Sequence, residues 1–337
     1  MDWGSIFEGA IRAAFDLDAV VFAIAAIGLN IHFGYTGLLN FGQVGFMAAG
    51  AYGVGIATTY FGWNPWVALV VGILAAVVLA LILGLPTLRL RADYLAIVTI
   101  ATSEILRLSF RSVSLREFSG GSNGINGFAN AFYAWSPFDP QVQYGIRIPG
   151  IDLSIKFFGN RAWILLIGWI VVVALLIFVR LAVSSPWGRV LKAIREDEDA
   201  VRALGKNAYW FKVQSLIVGG VIGAIGGMVL SIGTQTVQPD VYSTSLTFFV
   251  WTALILGGVG RTWSPVIGAM IFWVLLSFTE GVLRQGVENN YLPDWLIDGV
   301  QVGQVRFIMV GLGLCALLIF RPQGIFGDRN EMALEDR

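Results

Sequence analysis

Glu104 and Arg107 stand one helical turn apart inside a run that is otherwise apolar, an acid and a base at depth on one face. An acid so placed serves either a translocation pathway or an internal pair with the arginine, and spacing alone leaves both open. The other reactive residue types are solitary. His32 is the single histidine and Cys315 the single cysteine, which excludes a histidine-rich zinc site, a thiolate metal cluster and an internal disulfide. Gly205-Lys206 comes nearest to a phosphate-binding loop, but Asn207 follows it and Ala200 stands where the first glycine belongs. No paired-histidine motif and no nucleophile elbow is read. An ion-driven carrier commonly shows several buried acids or histidines, and here only Glu104 qualifies. These residues describe a chain that is not an enzyme, holds no metal or cofactor of its own, and would move a solute only with energy from another subunit.

The elements that position these residues must be membrane spans. Of the 337 residues 56% are hydrophobic and 13% charged, against about 25% charged in a soluble domain, and mean hydropathy is +0.74. The expected fold class is all-α, a polytopic integral membrane protein forming a single transmembrane domain over residues 1–337. Net charge is zero, so no bulk field draws nucleic acid or an acidic substrate. Crossing roughly 30 Å of hydrocarbon takes about 17 to 25 helical residues. Such runs lie at Leu17 to Phe33, Leu38 to Tyr60, Trp66 to Leu85, Tyr94 to Phe110, Trp163 to Leu181, Val213 to Ile232, Phe248 to Gly260, Pro265 to Leu283 and Val305 to Phe320. The seventh is short and ends in glycines, which leaves eight to nine spans. Met1 to Asp18 lacks the basic start and cleavage site of a signal peptide, and reads either as a short surface helix or as a polar lead-in.

Residues 182–212 form a polar loop between two of these runs. Ser185 can cap a helix, Pro186 suits its first position, and Gly205 can stop it. Val190, Ile194, Val201 and Leu204 fall on one stripe, with Arg189, Lys192, Arg195 and Arg202 around it. The acidic run Glu196 to Asp199 can open a second helix. The apolar stripe needs cover from the membrane surface, the chain's own spans or a partner protein. Arg89, Arg91, this loop, Arg261 and the tail with Arg321, Arg329 and Arg337 hold more than half of the 22 lysines and arginines. All fall on one side by alternation, which makes that side cytoplasmic. The opposite side carries residues 109–161, a long outer loop with Gly120, Gly121 and Gly124 and the prolines Pro137, Pro140 and Pro149. It either covers the outer mouth or docks a partner.

The second run is crowded with glycines, Gly34, Gly37, Gly42, Gly45, Gly50, Gly53 and Gly55, and a later cluster holds Gly257, Gly258 and Gly260. Interrupted apolar segments in both halves point to a passage, with plain small-residue packing as the alternative. The expected lining is Asn40, Gly42, Gln43, Gly45, Thr99, Thr102, Glu104, Gly257 and Gly258. The polar members supply the few hydrogen-bonding groups such a passage needs.

Several stretches resemble a known family. These are Gly34-Tyr35-Thr36-Gly37-Leu38-Leu39-Asn40-Phe41-Gly42-Gln43, Leu88-Arg89-Leu90-Arg91-Ala92-Asp93-Tyr94-Leu95 with Glu104-Ile105-Leu106-Arg107, and Gly120-Gly121-Ser122-Asn123-Gly124. Ser185-Pro186-Trp187-Gly188-Arg189, Gly257-Gly258-Val259-Gly260 and Arg321-Pro322-Gln323-Gly324 follow in order. Together they are similar to the permease subunits of ABC importers for branched-chain amino acids, of the LivM type. Ser264 departs from the glycine often found there. The resemblance implies a bacterial inner-membrane permease paired with a second, homologous permease, two cytoplasmic ATPase subunits that use ATP, and a periplasmic binding protein. It also implies that Pro186 to Leu204 is a coupling helix seated in an ATPase groove, with Pro186, Gly188, Arg189, Ile194, Arg195, Val201, Leu204 and Gly205 as its coupling residues. A permease for urea or short amides would differ only in cargo. An ion-coupled transporter would need coupling residues of its own.

Overall fold

A computed structural model of the chain describes residues 2–88, 92–148, 153–289, 301–321 and 323–327. Arg89, Arg91, Pro149, Pro322, Arg329 and Arg337 lie outside the described residues. Fourteen α-helices carry the fold among those described. The first, α1 (Trp3–Phe15), is a real helix: the Asp2 carboxylate caps it by accepting from the Gly4 and Ser5 amides. Its buried face, Ile6, Ala10 and Ala14, recurs every four residues as a helix stripe must.

Next come α2 (Leu17–Leu29), which runs on through a π-helical turn at Asn30–Tyr35, α3 (Gln43–Thr59), α4 (Pro65–Thr87) and α5 (Ala92–Arg111). The segment between α5 and α8 holds two single turns, α6 (Arg116–Ser119) and α7 (Asn130–Tyr133), with the strands β1 (Ile125–Asn126), β2 (Gln143–Ile148) and β3 (Leu153–Phe158). Then follow α8 (Gly159–Ser184), α9 (Pro186–Glu196), α10 (Glu198–Ala203), α11 (Ala208–Thr234), the strand β4 (Thr236–Val237), α12 (Thr244–Gly257), α13 (Ser264–Glu288) and α14 (Val302–Phe320). Each expected apolar run contains a helix, so the chain is an all-α polytopic membrane protein with only short strands outside its helices. Leu17–Tyr35, α4, α8, α11 and α13 are by themselves long and apolar enough to cross a membrane. The 14 residues of α12 span only about 21 Å, short of the roughly 30 Å of hydrocarbon.

The bundle is organised around α2. Every residue from Leu17 to Leu29 except Asp18 is buried, so neighbouring helices enclose it on all sides. It packs against α8, α11, α12 and α13, while α11 in turn packs against α3 and α4. α1 lies along α13, with Phe7 against Phe278 at 5.6 Å between ring centroids.

The segment between α5 and α8 is ordered further than its turn-rich sequence suggests. β1 pairs antiparallel with β4, and β2 with β3. The Tyr133 hydroxyl donates to the Ile232 carbonyl at 2.9 Å, and burial pushes that hydroxyl up to about 12, so it remains a donor. These contacts gather the connections after α3, α5 and α11 at one end of the bundle. α9, α10, the turn at 258–263 and residues 323–327 gather at the other.

A joint between α2 and α3 and its candidate role

The second run is not one helix from Leu38. Gly37 has φ +73°, the chain stays irregular to Gly42, and α3 starts only at Gln43. Irregular backbone at membrane depth survives only where protein supplies its hydrogen-bond partners. Here it does. The Phe41 amide donates to Thr99 Oγ1 at 3.1 Å, the Gly42 amide to Asn40 Oδ1 at 2.8 Å, and the Val44 amide to Thr247 Oγ1 at 3.0 Å. The Trp251 indole donates to the Asn40 carbonyl at 3.0 Å.

The side chains close the same network. His32 Nε2 meets the Leu216 carbonyl at 3.2 Å. A carbonyl can only accept, so Nε2 carries the proton, and Nδ1 is left to accept from Asn40 Nδ2 at 3.0 Å. Asn40 Nδ2 also donates to Gln43 Oε1 at 3.0 Å, and Gln43 Nε2 donates to the Ala25 and Gly219 carbonyls at 3.3 and 3.2 Å. Asn40, Gln43, His32 and Thr99 are each 0% exposed. They form a satisfied polar joint tying α2, α3, α5, α11 and α12 together.

Asn40, Gln43 and Thr99 face none of the described cavities. A Cβ on Gly42 would strike the Thr99 carbonyl, and one on Gly45 would come within 3.0 Å of Ser103 Cβ, so these glycines let α3 lie against α5. Gly257 and Gly258 are likewise places of close approach. The Ile325 and Phe326 amides donate to the Leu256 and Gly257 carbonyls at 3.0 and 3.2 Å. Gly258, at φ +105°, leaves room for Gly327. Ser264 closes that turn by donating to the Gly258 carbonyl. Only Thr102 and Glu104 of the expected lining are partly exposed.

Glu104 takes the paired alternative. Arg107 Nε donates to both its oxygens at 3.1 and 3.0 Å, and Nη2 to Oε1 at 2.6 Å. Arg107 Nη1 and Arg111 Nη1 also reach Asp240 Oδ1 at 2.7 and 3.2 Å. The acid that an ion-coupled carrier would need is therefore held by guanidinium. The same helix exposes Tyr94, Ile97, Ile105 and Leu108 along one stripe.

At the other end, the polar loop divides into α9 and α10 at Asp197, whose carboxylate caps α10 through the Asp199 and Ala200 amides. Ile194 and Val201 are each 5% exposed and pack with Ala208, Val190 and Phe211. The chain's own α11 thus covers most of the stripe, which corrects the expectation that Ile194 and Val201 meet an outside partner. Gly188 is buried where a Cβ would strike the Val183 carbonyl, a tight corner after α8. What faces outward is Pro186, Arg189, Lys192, Ala193, Ala200 and Gly205, with Leu204 at 80% exposure. Glu198 pairs with Lys212 of α11 and with Arg202 at 2.6 Å. Arg195 Nη1 donates to the Gly34 carbonyl at 2.6 Å, joining α9 directly to the π turn. A cavity of about 200 Å³ lies beside this contact, lined in part by Gly37, Leu38, Arg195, Glu198 and Lys212.

Sequence reasoning missed Asn30, His32, Thr36, Ser215, Thr247 and Trp251. Asn30 Nδ2 donates to the Arg261 carbonyl at 2.9 Å and Oδ1 accepts from the Gly260 amide at 3.0 Å. The one available signal was a cluster of polar side chains within apolar runs. One further reading is corrected: Gly120-Gly121-Ser122-Asn123-Gly124 does have G-x-S-x-G spacing. It lies in a 3-10 turn with Ser122 exposed rather than between a strand and a helix, and the single histidine is buried in the joint.

Among the described residues no group of acids, histidines or cysteines could hold a metal ion. The chain matches, over residues 13–302, the family described as branched-chain amino acid transport system / permease component. It is 29% identical over 313 residues to the high-affinity branched-chain amino acid transport system permease protein LivM of Escherichia coli, covering 91% of this chain and 68% of that protein. To the probable branched-chain amino acid transport permease protein LivM of Methanocaldococcus jannaschii it is 27% identical, covering 92% and 91%. To the permease protein LivH of the Escherichia coli high-affinity system it is 23% identical, covering 91% of each. By that match over residues 13–302, the chain belongs to the family of branched-chain amino acid transport system permease components.

Proposed function

We propose that this chain is one permease subunit of an ATP-driven importer in the cytoplasmic membrane, carrying branched-chain or other hydrophobic amino acids inward. The names of its LivM and LivH relatives support the cargo, and their joint presence in Escherichia coli supports pairing with a second permease. The observation that carries the mechanism is the Arg195 contact with the Gly34 carbonyl. In this reading the outward face of α9 and α10, with Arg189, Ala193 and Leu204, seats on an ATPase subunit on the cytoplasmic side. Two such subunits use ATP, and a periplasmic binding protein delivers cargo at the opposite end.

Movement of α9 pulls on the π turn through Arg195 and reaches the joint. From there Thr99, Thr247 and Trp251 pass it to α5 and α12. The passage itself lies along the exposed stripe of α5, against the second permease. α5 is long enough to span but is not among the five strongly apolar helices, and charges at depth favour a protein or water-lined face over lipid. Thr102 and the Glu104–Arg107 pair offer weak polar contacts to the cargo's ammonium and carboxylate, and Ile97 and Ile105 suit its side chain.

The test is Arg195→Ala in the assembled transporter. ATP hydrolysis should persist while uptake falls. Normal uptake by a correctly folded Arg195→Ala protein would remove the proposed link. A cysteine at Leu204 should also cross-link to an ATPase subunit, and failure to do so from any partner position would remove the proposed seat.

A further inference from the structure

A cavity of about 550 Å³ lies between α1 and the hairpin of β2 and β3, lined by Ser5, Glu8 and Arg12 on the helix and by Gln143, Lys156 and Phe158 on the strands. Strand pairing sets Gln143 opposite Phe158 and Gly145 opposite Lys156. Gln143, Lys156 and Phe158 therefore share one face of the hairpin, and Gly145 has no side chain to fill the space beside Lys156. The polar groups of this wall are open to a ligand. Arg12, Gln143 and Lys156 are exposed and Glu8 is half-buried. Arg12 stands 5.0 Å over the Phe157 ring, which fixes the guanidinium but brings no charge. Among the described residues neither Arg12 nor Lys156 pairs with a carboxylate. Asp2 is spent on capping α1, and Asp16 on Arg161 at 2.6 Å. The wall thus carries two unpaired cations and one carboxylate, and its excess positive charge calls for an anion.

Position and helix pattern say which anion. Leu17–Tyr35 and Gly159–Ser184 are both long and apolar enough to cross a membrane, and the Arg161–Asp16 pair holds their starts side by side. Arg12 and Phe158 come just before those starts, so the cavity sits where the chain leaves the hydrocarbon. α1 itself carries three faces. Ile6, Ala10 and Ala14 are buried, Trp3, Phe7 and Phe15 are 51%, 51% and 43% exposed, and Ser5, Glu8 and Arg12 turn to the cavity. An uncovered aromatic stripe beside a basic one is the pattern of a helix lying in the membrane interface. The anion that a bilayer offers at that level is a phosphodiester, whose oxygens accept well from a guanidinium fork and an ammonium.

We propose that this cavity binds the headgroup of an anionic phospholipid, its phosphate between Arg12 and Lys156, a headgroup hydroxyl donating to Glu8, and its tails leaving along Trp3, Phe7 and Phe15. The single negative charge of such a lipid balances the excess charge of the wall. A zwitterionic headgroup brings its own cation and leaves that excess in place, and choline also has no proton to give Glu8. The site is separate from the cargo route and the ATPase seat proposed above, and its test does not depend on transport.

The experiment is native mass spectrometry of the purified full chain after exchange into equal amounts of palmitoyl-oleoyl phosphatidylglycerol and phosphatidylcholine. One phosphatidylglycerol should be retained under conditions that strip the phosphatidylcholine. Lys156→Gln, at an exposed site with no ion pair to lose among the described residues, should weaken retention roughly fivefold, as loss of one basic residue near an anionic surface does. Arg12→Gln together with Lys156→Gln should weaken it roughly twenty-five-fold. Lys206→Gln, equally exposed but between α10 and α11, should change nothing. Glycerophosphoglycerol and inorganic phosphate, which lack tails, should fail to displace the lipid at matched concentration. The proposal is overturned if the two lipids are retained alike, if Lys156→Gln matches wild type, if Lys206→Gln weakens retention as much, or if the tailless phosphates displace the lipid.

Discussion

Asn40→Ala strikes the joint where it is most connected. The wild-type amide donates to His32 Nδ1 and Gln43 Oε1 at 3.0 Å each and accepts from the Gly42 amide at 2.8 Å. All three side chains are 0% exposed, so alanine leaves an imidazole nitrogen, an amide oxygen and a backbone N–H without partners in a dry place. Each unsatisfied buried group costs about 1–3 kcal/mol. With relaxation of a shared network, the expected loss is about 3–5 kcal/mol. Against a total stability of about 5–15 kcal/mol that is a large fraction. It corresponds to a fall in melting temperature of roughly 5–10 °C. The assay is thermal unfolding of the detergent-solubilised chain followed by size-exclusion chromatography, beside Thr58→Val, whose hydroxyl bonds only within its own helix. An Asn40→Ala protein melting within about 1 °C of wild type would refute the reasoning that the network holds the bend.

Four further outcomes are expected. Gly42→Leu and Gly45→Leu should separate α3 from α5 and collapse folded yield, since a Cβ at either meets Thr99 or Ser103; normal yield for both would show that the approach is not required. Glu104→Gln should lower thermal stability modestly, given its 38% exposed side chain, and Glu104→Gln with Arg107→Met should recover much of it. Additive losses would remove the pair from the account, and lost transport at full stability would place Glu104 in the pathway. Leu204→Asp, at a site 80% exposed, should leave melting unchanged and abolish ATP-linked uptake, while Ile194→Asp, buried at 5%, should lower stability as well. Ser185→Cys and Asn330→Cys should resist a membrane-impermeant thiol reagent in intact cells, and labelling of both would invert the topology.

The bundle was legible because long apolar runs leave little choice of structure at membrane depth. The division of the polar loop was legible too, because Pro186, Asp197 and Gly205 are strong local signals. The joint was not. Leu38 to Tyr60 reads as one apolar run, and only tertiary partners reveal why helix begins at Gln43: Thr99, Thr247 and Trp251 lie far away in sequence and supply the hydrogen bonds that make the irregular stretch tolerable. Periodicity places Ile194 and Val201 on an apolar stripe but does not say what covers it, and here that is α11. The pairing of β1 with β4 joins residues 125–126 to 236–237, a separation no local pattern encodes.

Uptake into liposomes tests the central claim most directly. The purified chain, its second permease and the ATPase subunits are reconstituted with an amino-acid binding protein on the outer face, and entry of labelled leucine is followed with and without ATP facing the ATPase subunits. The account predicts uptake that requires ATP and both permeases, and that falls when Arg195→Ala cuts the contact with Gly34. Equal uptake by liposomes lacking the ATPase subunits would contradict it.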